Sequence, residues 1–414
     1  MRLSPRRLRA AIKVANASGA LSRRLGRGSG VALAGRILTL IAPDALSTLS
    51  QGVTSVLVSA TNGKTTTTAM CSAVLATKYK VATNSLGNNM TGGLAQALAS
   101  SEAANCAVLE VDEAHLGIAI NSLAPKAILL LNLSRDQLDR VSEVRSVASR
   151  WSKALSTSLD LKVIANVSDP MIQFAVSRHP NVVRVALGNP WSLDASACPA
   201  CDAPLDYSSG LSYRCTRCEF HMPSCEFVLN GSYLESGERS TIEIFTPLPG
   251  AFNVSNAAMA TVLGIEMGIA PDDALRAISA VGAIAGRYET VWLGGRRVLL
   301  LMAKNPAGWQ ATIEMLRNDS RDVVIAINAQ VADGKDTSWL YDVDFSPLGQ
   351  RTVMATGERR WDLSTRLHYD GVAHRTFEST ESCIAASNGD EVVFVGNYTA
   401  FQSLRRLVSR ASAQ

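Results

Sequence analysis

The stretch VTSVLVSATNGKTTTT, residues 53–68, constrains this chain more than any other. Val53 to Ser59 crowd β-branched and apolar residues and read as a buried strand. The run breaks at Ala60-Thr61-Asn62-Gly63-Lys64-Thr65 and re-enters an apolar-periodic segment, a helix over Thr66 to Tyr79. Strand, tight polar loop and helix N-terminus together aim several backbone N–H groups at one point. That arrangement binds a phosphate chain, with Lys64 reaching the terminal phosphates and the Thr65 hydroxyl available to Mg²⁺. The usual G-x-x-x-x-G-K-[ST] pattern has a Gly where this chain has Val58, so the loop is a shortened one.

The segments that follow alternate strand and helix. Lys80 to Thr83 is a short strand that runs into the Gly/Asn-rich loop Asn84–Gly93, and a helix continues to Ala99. The apolar strand beginning at Cys106 stops in carboxylates, Glu110, Asp112 and Glu113. Lys126 to Leu131 delivers Asn132, then Ser134-Arg135-Asp136-Gln137-Leu138-Asp139-Arg140; Leu161 to Asn166 is a further strand. Alternation at this spacing implies right-handed βαβ units and a parallel sheet covered on both faces. Ligands of such sheets sit beyond the carboxyl ends of the strands. The phosphate loop, Glu110 and Asn132 should therefore meet in one cleft, with Glu110 placed to hold Mg²⁺.

From Asp194 the composition changes. Cys198-x-x-Cys201, thirteen residues, and Cys215-x-x-Cys218 form two knuckles flanked by Tyr207, Tyr213 and Phe220. Two such turns close a four-thiolate tetrahedron around Zn²⁺ and leave no position for a catalytic water, so the zinc is expected to be structural. The ribbon, about residues 194–226, interrupts an α/β domain. The other four cysteines, Cys71, Cys106, Cys225 and Cys383, form no second cluster, which is reduced, cytosolic usage.

At 414 residues, 47% of them hydrophobic and 18% charged, the chain has room for two or three domains. No apolar run reaches the roughly 18 residues of a spanning helix. A net charge of +4 is too small to argue for nucleic acid. Residues 1–27 hold eight Arg/Lys and no acid. They have neither the compact apolar core nor the cleavage site of a secretory signal, and suit a solvated basic helix or adhesion to an anionic surface. Residues 1–45 are read as a basic N-terminal segment, 46–294 as the ATP-binding domain and 295–414 as a smaller C-terminal α/β domain, with the boundary near Gly294-Gly295. In the first domain the pattern resumes at Thr241 to Phe245. Pro249-Gly250-Ala251-Phe252 then opens a helix that sets Asn253 and Asn256 on one face. The second contains the strand Arg297 to Ala303, Lys304-Asn305-Pro306, and a long polar loop from Asn328 to Phe345 with Asp333, Asp336, Asp342 and Asp344.

Taken together, ATNGKTTTT, NSLGNNMTGGL, LEVDEAHL, NLSRDQLDR, LPGAFNVSNAAMA and GRYE resemble the Mur ligase superfamily. The four-cysteine ribbon, KNPAGW and NAQVADGKDTSWLYDVDF resemble its MurT-type branch, so the likeness runs from about Gly26 to NYTAFQSLRR. The fold it implies is a Mur-ligase-like parallel-sheet ATPase domain with an inserted zinc ribbon, plus a smaller C-terminal α/β domain. It implies that Asn62, Gly63, Lys64, Thr65 and Thr66 cradle ATP phosphates, that Thr65 and Glu110 serve Mg²⁺, and that Asn253, Asn256 and Arg287 hold the nucleotide. Cys198, Cys201, Cys215 and Cys218 match the zinc ligands. In the branch, an Asp of the C-terminal domain completes the Cys-His pair of a separate glutaminase (GatD-type) subunit. Asp342 is the first choice for that Asp and Asp336 the second. The departures are Ala60, where Mur-type ligases have Gly, and Asn397, where Thr-Tyr-Thr-Ala is expected.

The reaction so implied is an ATP-dependent amidation of the α-carboxyl of D-glutamate in lipid II to D-isoglutamine, through an acyl phosphate. Lys64 and Mg²⁺ would stabilise the charge of phosphoryl transfer. The chain shows no ammonia-producing site of its own, so the glutaminase partner would supply the nucleophile. The expected location is the cytoplasm, with the basic segment at the inner face of the plasma membrane. Two other classes fit part of the pattern. An amino-acid-adding Mur or folylpolyglutamate-type ligase would need no partner, and a P-loop and zinc-ribbon nucleic-acid module would need a basic, aromatic face that is absent outside the N-terminus.

Overall fold

The computed structural model describes all residues except 1–4, 26–29, 85–87, 102, 137–143, 189–190, 209–211, 238–239, 285, 350 and 412–414. The motif residues Gly26, Arg27, Ser85–Gly87 and Gln137–Arg140 lie outside the described residues. The chain divides into two compact units, one of Met1–Leu133, Val144–Pro247 and Asn253–Val281, the other of Ser134–Glu143, Leu248–Phe252 and Gly282–Gln414.

The first unit is built on a nine-stranded sheet. Its strands are β1 (Thr54–Ser59), β2 (Val81–Thr83), β3 (Cys106–Glu110), β4 (Ala127–Leu130), β5 (Lys162–Asn166) and β6 (Val182–Ala186), then β9 (Phe227–Asn230), β10 (Tyr233–Ser236) and β11 (Ser240–Glu243). A separate two-stranded ribbon pairs β7 (Leu205–Asp206) with β8 (Arg214–Cys215). The order across the large sheet is β11-β10-β9-β6-β5-β4-β1-β3-β2. β1 is fully buried beyond its first residue and lies between parallel β3 and β4, with Val58 opposite Glu110 and Ser59 opposite Leu130. A strand covered on both faces needs apolar residues at every position rather than at alternate ones, which is what SVLVS supplies.

Two expectations change here. The sheet is parallel only as far as β9; β10 and β11 close it as an antiparallel meander, so the segment near Thr241 is an edge rather than a resumed βαβ unit. The four-cysteine ribbon occupies the crossover between the parallel neighbours β6 and β9, where a βαβ unit would carry a helix. Residues 1–45 are also no separate segment. Helix Pro5–Arg24 buries Leu8, Ala11 and Ala15 in the same core as Leu38, Leu57 and Leu94. Arg6, Lys13 and Arg24 are exposed away from that core, with Val14 and Leu21 exposed on its flank and Leu25 exposed just after the helix.

The second unit has six strands: β12 (Thr290–Leu293), β13 (Arg296–Met302), β14 (Asp322–Ala326), β15 (Val353–Thr356), β16 (His374–Thr376) and β17 (Glu391–Gly396). Their order is β12-β13-β17-β14-β15-β16, parallel except for the β12–β13 hairpin. Gly294 and Gly295, at φ 60° and 76°, form the turn of that hairpin. The proposed boundary there is therefore corrected: the unit begins at Gly282, because β12 pairs with β13 and cannot be parted from it. Alternate residues of β14 serve two cores. Val323 and Ile325 pack with Trp309, Trp339 and Phe345, and Val324 and Ala326 with Phe394, Phe401 and Leu404.

Candidate functional site

The carboxyl ends of β1, β3 and β4 and the start of helix Lys64–Ala76 make the candidate site in the first unit. β1 ends at Ser59, whose hydroxyl donates to the Val111 carbonyl at 2.9 Å. The chain then turns through residues 60–63 and begins the helix two residues earlier than the sequence pattern suggests. Gly63 makes this possible at φ 84°, a left-handed backbone that any side chain strains. A Cβ there would also sit 2.7 Å from Asn256 Oδ1.

Asn132, just past β4, clamps the loop. Its Oδ1 accepts from the Asn62 N–H at 2.9 Å, its Nδ2 donates to the Asn62 carbonyl at 3.0 Å, and its own carbonyl accepts from the Thr61 N–H at 3.0 Å. Leu133, the next residue, donates its N–H to Asp169 Oδ2 at 2.8 Å. Asp169 also caps helix Pro170–Val176. Burial pushes its carboxyl up to about 6 despite the three backbone N–H groups it accepts.

Lys64 is buried at 7% exposure. Its Nζ pairs with Glu113 Oε2 at 3.0 Å and donates to the carbonyls of Thr61, at 3.3 Å, and Ala60. Ala60, the departure from the Gly of the motif, is fully buried and contributes that carbonyl. Thr65 is half-exposed at the helix start, and Thr66 beside it is buried. Glu113 is one of the carboxylates that follow β3, and no role could be read for it from the sequence; it stands three residues past the strand's last residue, Glu110.

Glu110 is 3% exposed, and its two oxygens differ. Oε1 accepts from Asn89 Nδ2 at 3.3 Å, whereas Oε2 is buried with no hydrogen-bond partner among the described residues. A buried carboxylate oxygen left unsatisfied is costly, and a divalent cation is the partner that suits it. The Glu110 backbone is fixed from both sides by Asn84, through Oδ1 at 2.8 Å to its N–H and Nδ2 at 2.8 Å to its carbonyl.

On helix Ala251–Glu266, Asn253 is fully buried and Asn256 8% exposed, with Asn256 Nδ2 donating to Asn253 Oδ1 at 3.3 Å. Asn62, Gly63, Lys64, Thr65, Thr66, Glu110, Asn253 and Asn256 all belong to the first unit. Arg287 belongs to the second, where its N–H donates to the Ile284 carbonyl at 2.9 Å.

The sulfurs of Cys198, Cys201, Cys215 and Cys218 lie within 4.8 Å of one another. Zn–S bonds of about 2.3 Å in a tetrahedron put sulfurs about 3.8 Å apart, so the set can hold one metal ion. The Arg217 and Cys218 N–H groups both donate to Cys215 Sγ at 3.3 Å, which favours the thiolate form a metal needs. Tyr213 stacks on Phe220 and donates to the Val167 carbonyl at 3.0 Å, tying the ribbon to the end of β5.

In the second unit the four aspartates have different surroundings. The loop is less polar than its sequence suggests: Trp339, Leu340, Val343 and Phe345 are buried around the turn Ser338–Asp342. Asp333, 8% exposed, accepts from the Thr399 N–H at 2.9 Å and from its hydroxyl, at the start of the last helix. Asp344 accepts from the Ser346 N–H at 2.9 Å. Asp336 is exposed and accepts from the Ser338 N–H at 2.8 Å; those local bonds hold its carboxyl below the usual range. Asp342 is about one-third exposed and pairs with Arg135 at 3.1 Å. Next to Arg135, Asp136 receives Lys304 at 3.0 Å and Asn305 at 3.2 Å. Asn397, the second departure, holds Asn328 by two bonds, at 3.1 Å and 2.7 Å.

Residues 58–264 match the Mur ligase middle domain and residues 302–401 the MurT ligase C-terminal domain. The lipid II isoglutaminyl synthase (glutamine-hydrolyzing) subunit MurT of Streptococcus pneumoniae is 28% identical, covering 93% of each chain. The subunit of the same name from Staphylococcus aureus is 26% identical over 86% of each. Among solved structures, a pseudomurein peptide ligase type C from Methanothermus fervidus superposes with a TM-score of 0.67 at 16% identity, covering 87% of this chain and 79% of that one. That last likeness speaks for the fold alone.

Proposed function

The chain belongs to the Mur ligase family, and from that premise we propose that it is the synthase subunit of a lipid II isoglutaminyl synthase. One observation carries the reading: a single chain bears both the Mur ligase middle domain and the MurT C-terminal domain and aligns with the two MurT subunits over 93% and 86% of its length. An amino-acid-adding ligase would not be expected to carry that second domain.

The reaction is an ATP-dependent carbon–nitrogen ligation. The α-carboxylate of D-glutamate in the lipid II stem peptide attacks the γ-phosphorus of ATP, ADP leaves, and an acyl phosphate forms. Ammonia then adds to the acyl carbon, loses a proton and expels phosphate, giving D-isoglutamine. Asn62, Gly63, Lys64, Thr65 and Thr66 hold the phosphates, and Asn253 and Asn256 back the loop from the facing helix. Lys64 leaves Glu113 and the loop carbonyls to meet the charge that builds on the transferring phosphoryl group. Glu110 Oε2 and the Thr65 hydroxyl would hold Mg²⁺, which would supply electrostatic stabilisation of the phosphate oxygens. Arg287 is a further residue proposed to hold the nucleotide. The four cysteines would hold a structural Zn²⁺, which would keep the β6–β9 crossover folded and leave no position for a catalytic water.

Ammonia comes from a separate glutaminase of the GatD type. Asp342 is the residue we assign to completing that partner's Cys-His pair, with Asp336 second. Asp333 is spent on the last helix and Asp344 on its own turn, whereas Asp342 is partly exposed and held in place by Arg135. None of the described helices is long and apolar enough to cross a membrane. We place the chain in the cytoplasm, touching the inner face of the plasma membrane through the outward side of helix Pro5–Arg24, where Arg6, Lys13 and Arg24 are exposed with Val14 and Leu21 on their flank.

The test is co-expression with a glutaminase subunit, then assay of lipid II amidation with glutamine and ATP. Amide formation that requires both chains and ATP is the expected result; absence of amide from the co-purified pair would overturn the reading. Metal analysis of the purified chain should find about one zinc per molecule, lost in Cys201→Ser.

A further inference from the structure

Asn132, which clamps the phosphate loop, is itself held from both sides. Asn166, the last residue of β5, donates from Nδ2 to the Leu131 carbonyl at 2.9 Å, and Asp169 Oδ2 accepts from the Leu133 N–H at 2.8 Å. The residues on either side of Asn132 are therefore bonded to side chains of one turn, Asn166-Val167-Ser168-Asp169. The reason lies in the sheet, where β4 and β5 pair only as far as Leu130 and Ala165. Beyond that point the buried residues Leu131 and Leu133 lose their ladder partner on the β5 side, and polar side chains from the end of β5 take its place.

Both of those side chains are buried, and each is fixed by further bonds. Asn166 Oδ1 accepts from the Ser168 N–H at 3.2 Å. Asp169 Oδ1 accepts from the Met171 and Ile172 N–H groups at 2.8 Å and 3.3 Å, so each carboxylate oxygen has its own task. The turn is also held from outside. The carbonyl of buried Val167 accepts from the Tyr213 hydroxyl at 3.0 Å, and Tyr213 packs with Tyr207 and Phe220 in the core of the four-cysteine ribbon. One continuous chain of contacts thus runs from the ribbon through residues 166–169 to Asn132 and the Asn62 backbone.

We propose that Asp169 and Asn166 are positioning residues for the phosphate loop, acting through Asn132, and that the ribbon holds their turn through Tyr213. A loop that binds phosphates with backbone N–H groups works only where those groups are held within about 0.5 Å of the productive geometry. A clamp on the Asn62 backbone achieves that only if the clamp is fixed in its turn. That the loop binds a nucleotide rests on the function proposed above; the bonds from the turn to Leu131 and Leu133 do not.

The test uses the full chain, with calorimetric binding of the non-hydrolysable ATP analogue AMP-PNP with Mg²⁺, and hydrogen exchange of the peptide covering residues 58–66. Asp169→Asn isolates one bond: Asn caps a helix as well as Asp does, but its amide turns N–H groups toward the Leu133 N–H. It should raise Kd about fivefold, and the Thr61 and Asn62 amides should exchange about fivefold faster. Tyr213→Phe, which leaves the four cysteines in place, should raise both about twofold. The double variant Asn132→Ala/Asp169→Asn should bind no more weakly than Asn132→Ala alone, because a positioning residue then has nothing left to position. Losses that add in that double variant overturn the proposal, as do unchanged Kd and unchanged loop exchange in Asp169→Asn. Unchanged loop exchange in Tyr213→Phe overturns the ribbon's part in it. If the wild-type chain binds no AMP-PNP, the nucleotide reading falls and loop exchange alone decides the positioning: acceleration in Asp169→Asn upholds it, and wild-type exchange overturns it.

Discussion

The two units each contain a loop that leaves the carboxyl end of an interior parallel strand and is held by an asparagine from a neighbouring strand end. In the first, Asn132 beyond β4 makes two bonds to the backbone of Asn62. In the second, Asn397 beyond β17 makes the same two bonds to the backbone of Asn328. The clamp is shared, but what it holds differs. The first loop is four residues long and presents backbone N–H groups and one lysine. The second runs from Asn328 to Phe345 and is anchored by Trp339, Leu340, Val343 and Phe345, so the groups it offers are side-chain carboxylates between buried anchors. Chemistry carried by backbone geometry is fixed by spacing. Chemistry carried by one acid among four depends on which of them the fold has already used.

The sharpest way to break the comparison is Lys64→Met. If the first loop performs the phosphoryl transfer, amidation should fall about 10³-fold whether glutamine or free ammonia is the nitrogen source. Retention of ammonia-driven amidation would move the chemistry away from this loop. Asp342→Asn should do the opposite: glutamine-driven amidation should fall about 100-fold while ammonia-driven turnover stays near wild type. If Asp336→Asn gives that split and Asp342→Asn does not, the assignment passes to Asp336.

The matched clamps permit a finer pair. Asn132→Ala removes two hydrogen bonds from the phosphate loop and should raise KM for ATP about tenfold at either nitrogen source. Asn397→Ala should spare KM for ATP and weaken only the glutamine-driven reaction, also about tenfold. Steady-state kinetics with both nitrogen sources distinguish the two. Equal effects of both substitutions on KM for ATP would mean that the clamps serve general stability.

How much of this was legible in the sequence follows the same division. The strand–loop–helix of residues 53–76 and the strand stops at Glu110 and Asn132 could be read directly, because a buried parallel strand must be apolar throughout and its polar residues therefore mark its end. The four cysteines were legible because CxxC spacing is itself the geometry of a knuckle. The β6, β9 and β10 strands were not, since VVRVA is short and FVLN and YLES sit beside a ribbon that disguises their pairing. Gly294-Gly295 read as a boundary because two glycines punctuate a chain equally well as a linker or as a hairpin turn, and only the β12–β13 pairing decides. Asn397 read as a departure from its motif; the structure gives it the same task as Asn132. Glu113 was passed over because an acid after a strand is ordinarily a surface residue, and its pairing with Lys64 depends on the loop folding back over it.

Asp333 offers the smallest effect and closes the comparison from the structural side. Its carboxylate accepts from the Thr399 N–H and hydroxyl and from the Gln330 N–H at 3.3 Å, so it joins the start of the aspartate loop to the first turn of the last helix. A negative charge there also complements the helix N-terminus. Asp333→Ala should therefore cost about 1–2 kcal/mol of stability, the range for losing a helix cap. Ammonia-driven turnover per folded molecule should be unchanged. Urea unfolding of the second-unit signal, alongside amidation with each nitrogen source, checks both parts. A selective loss of glutamine-driven activity at full stability would show that Asp333 faces the partner rather than the helix, and would merge the structural and functional acids that the fold keeps apart.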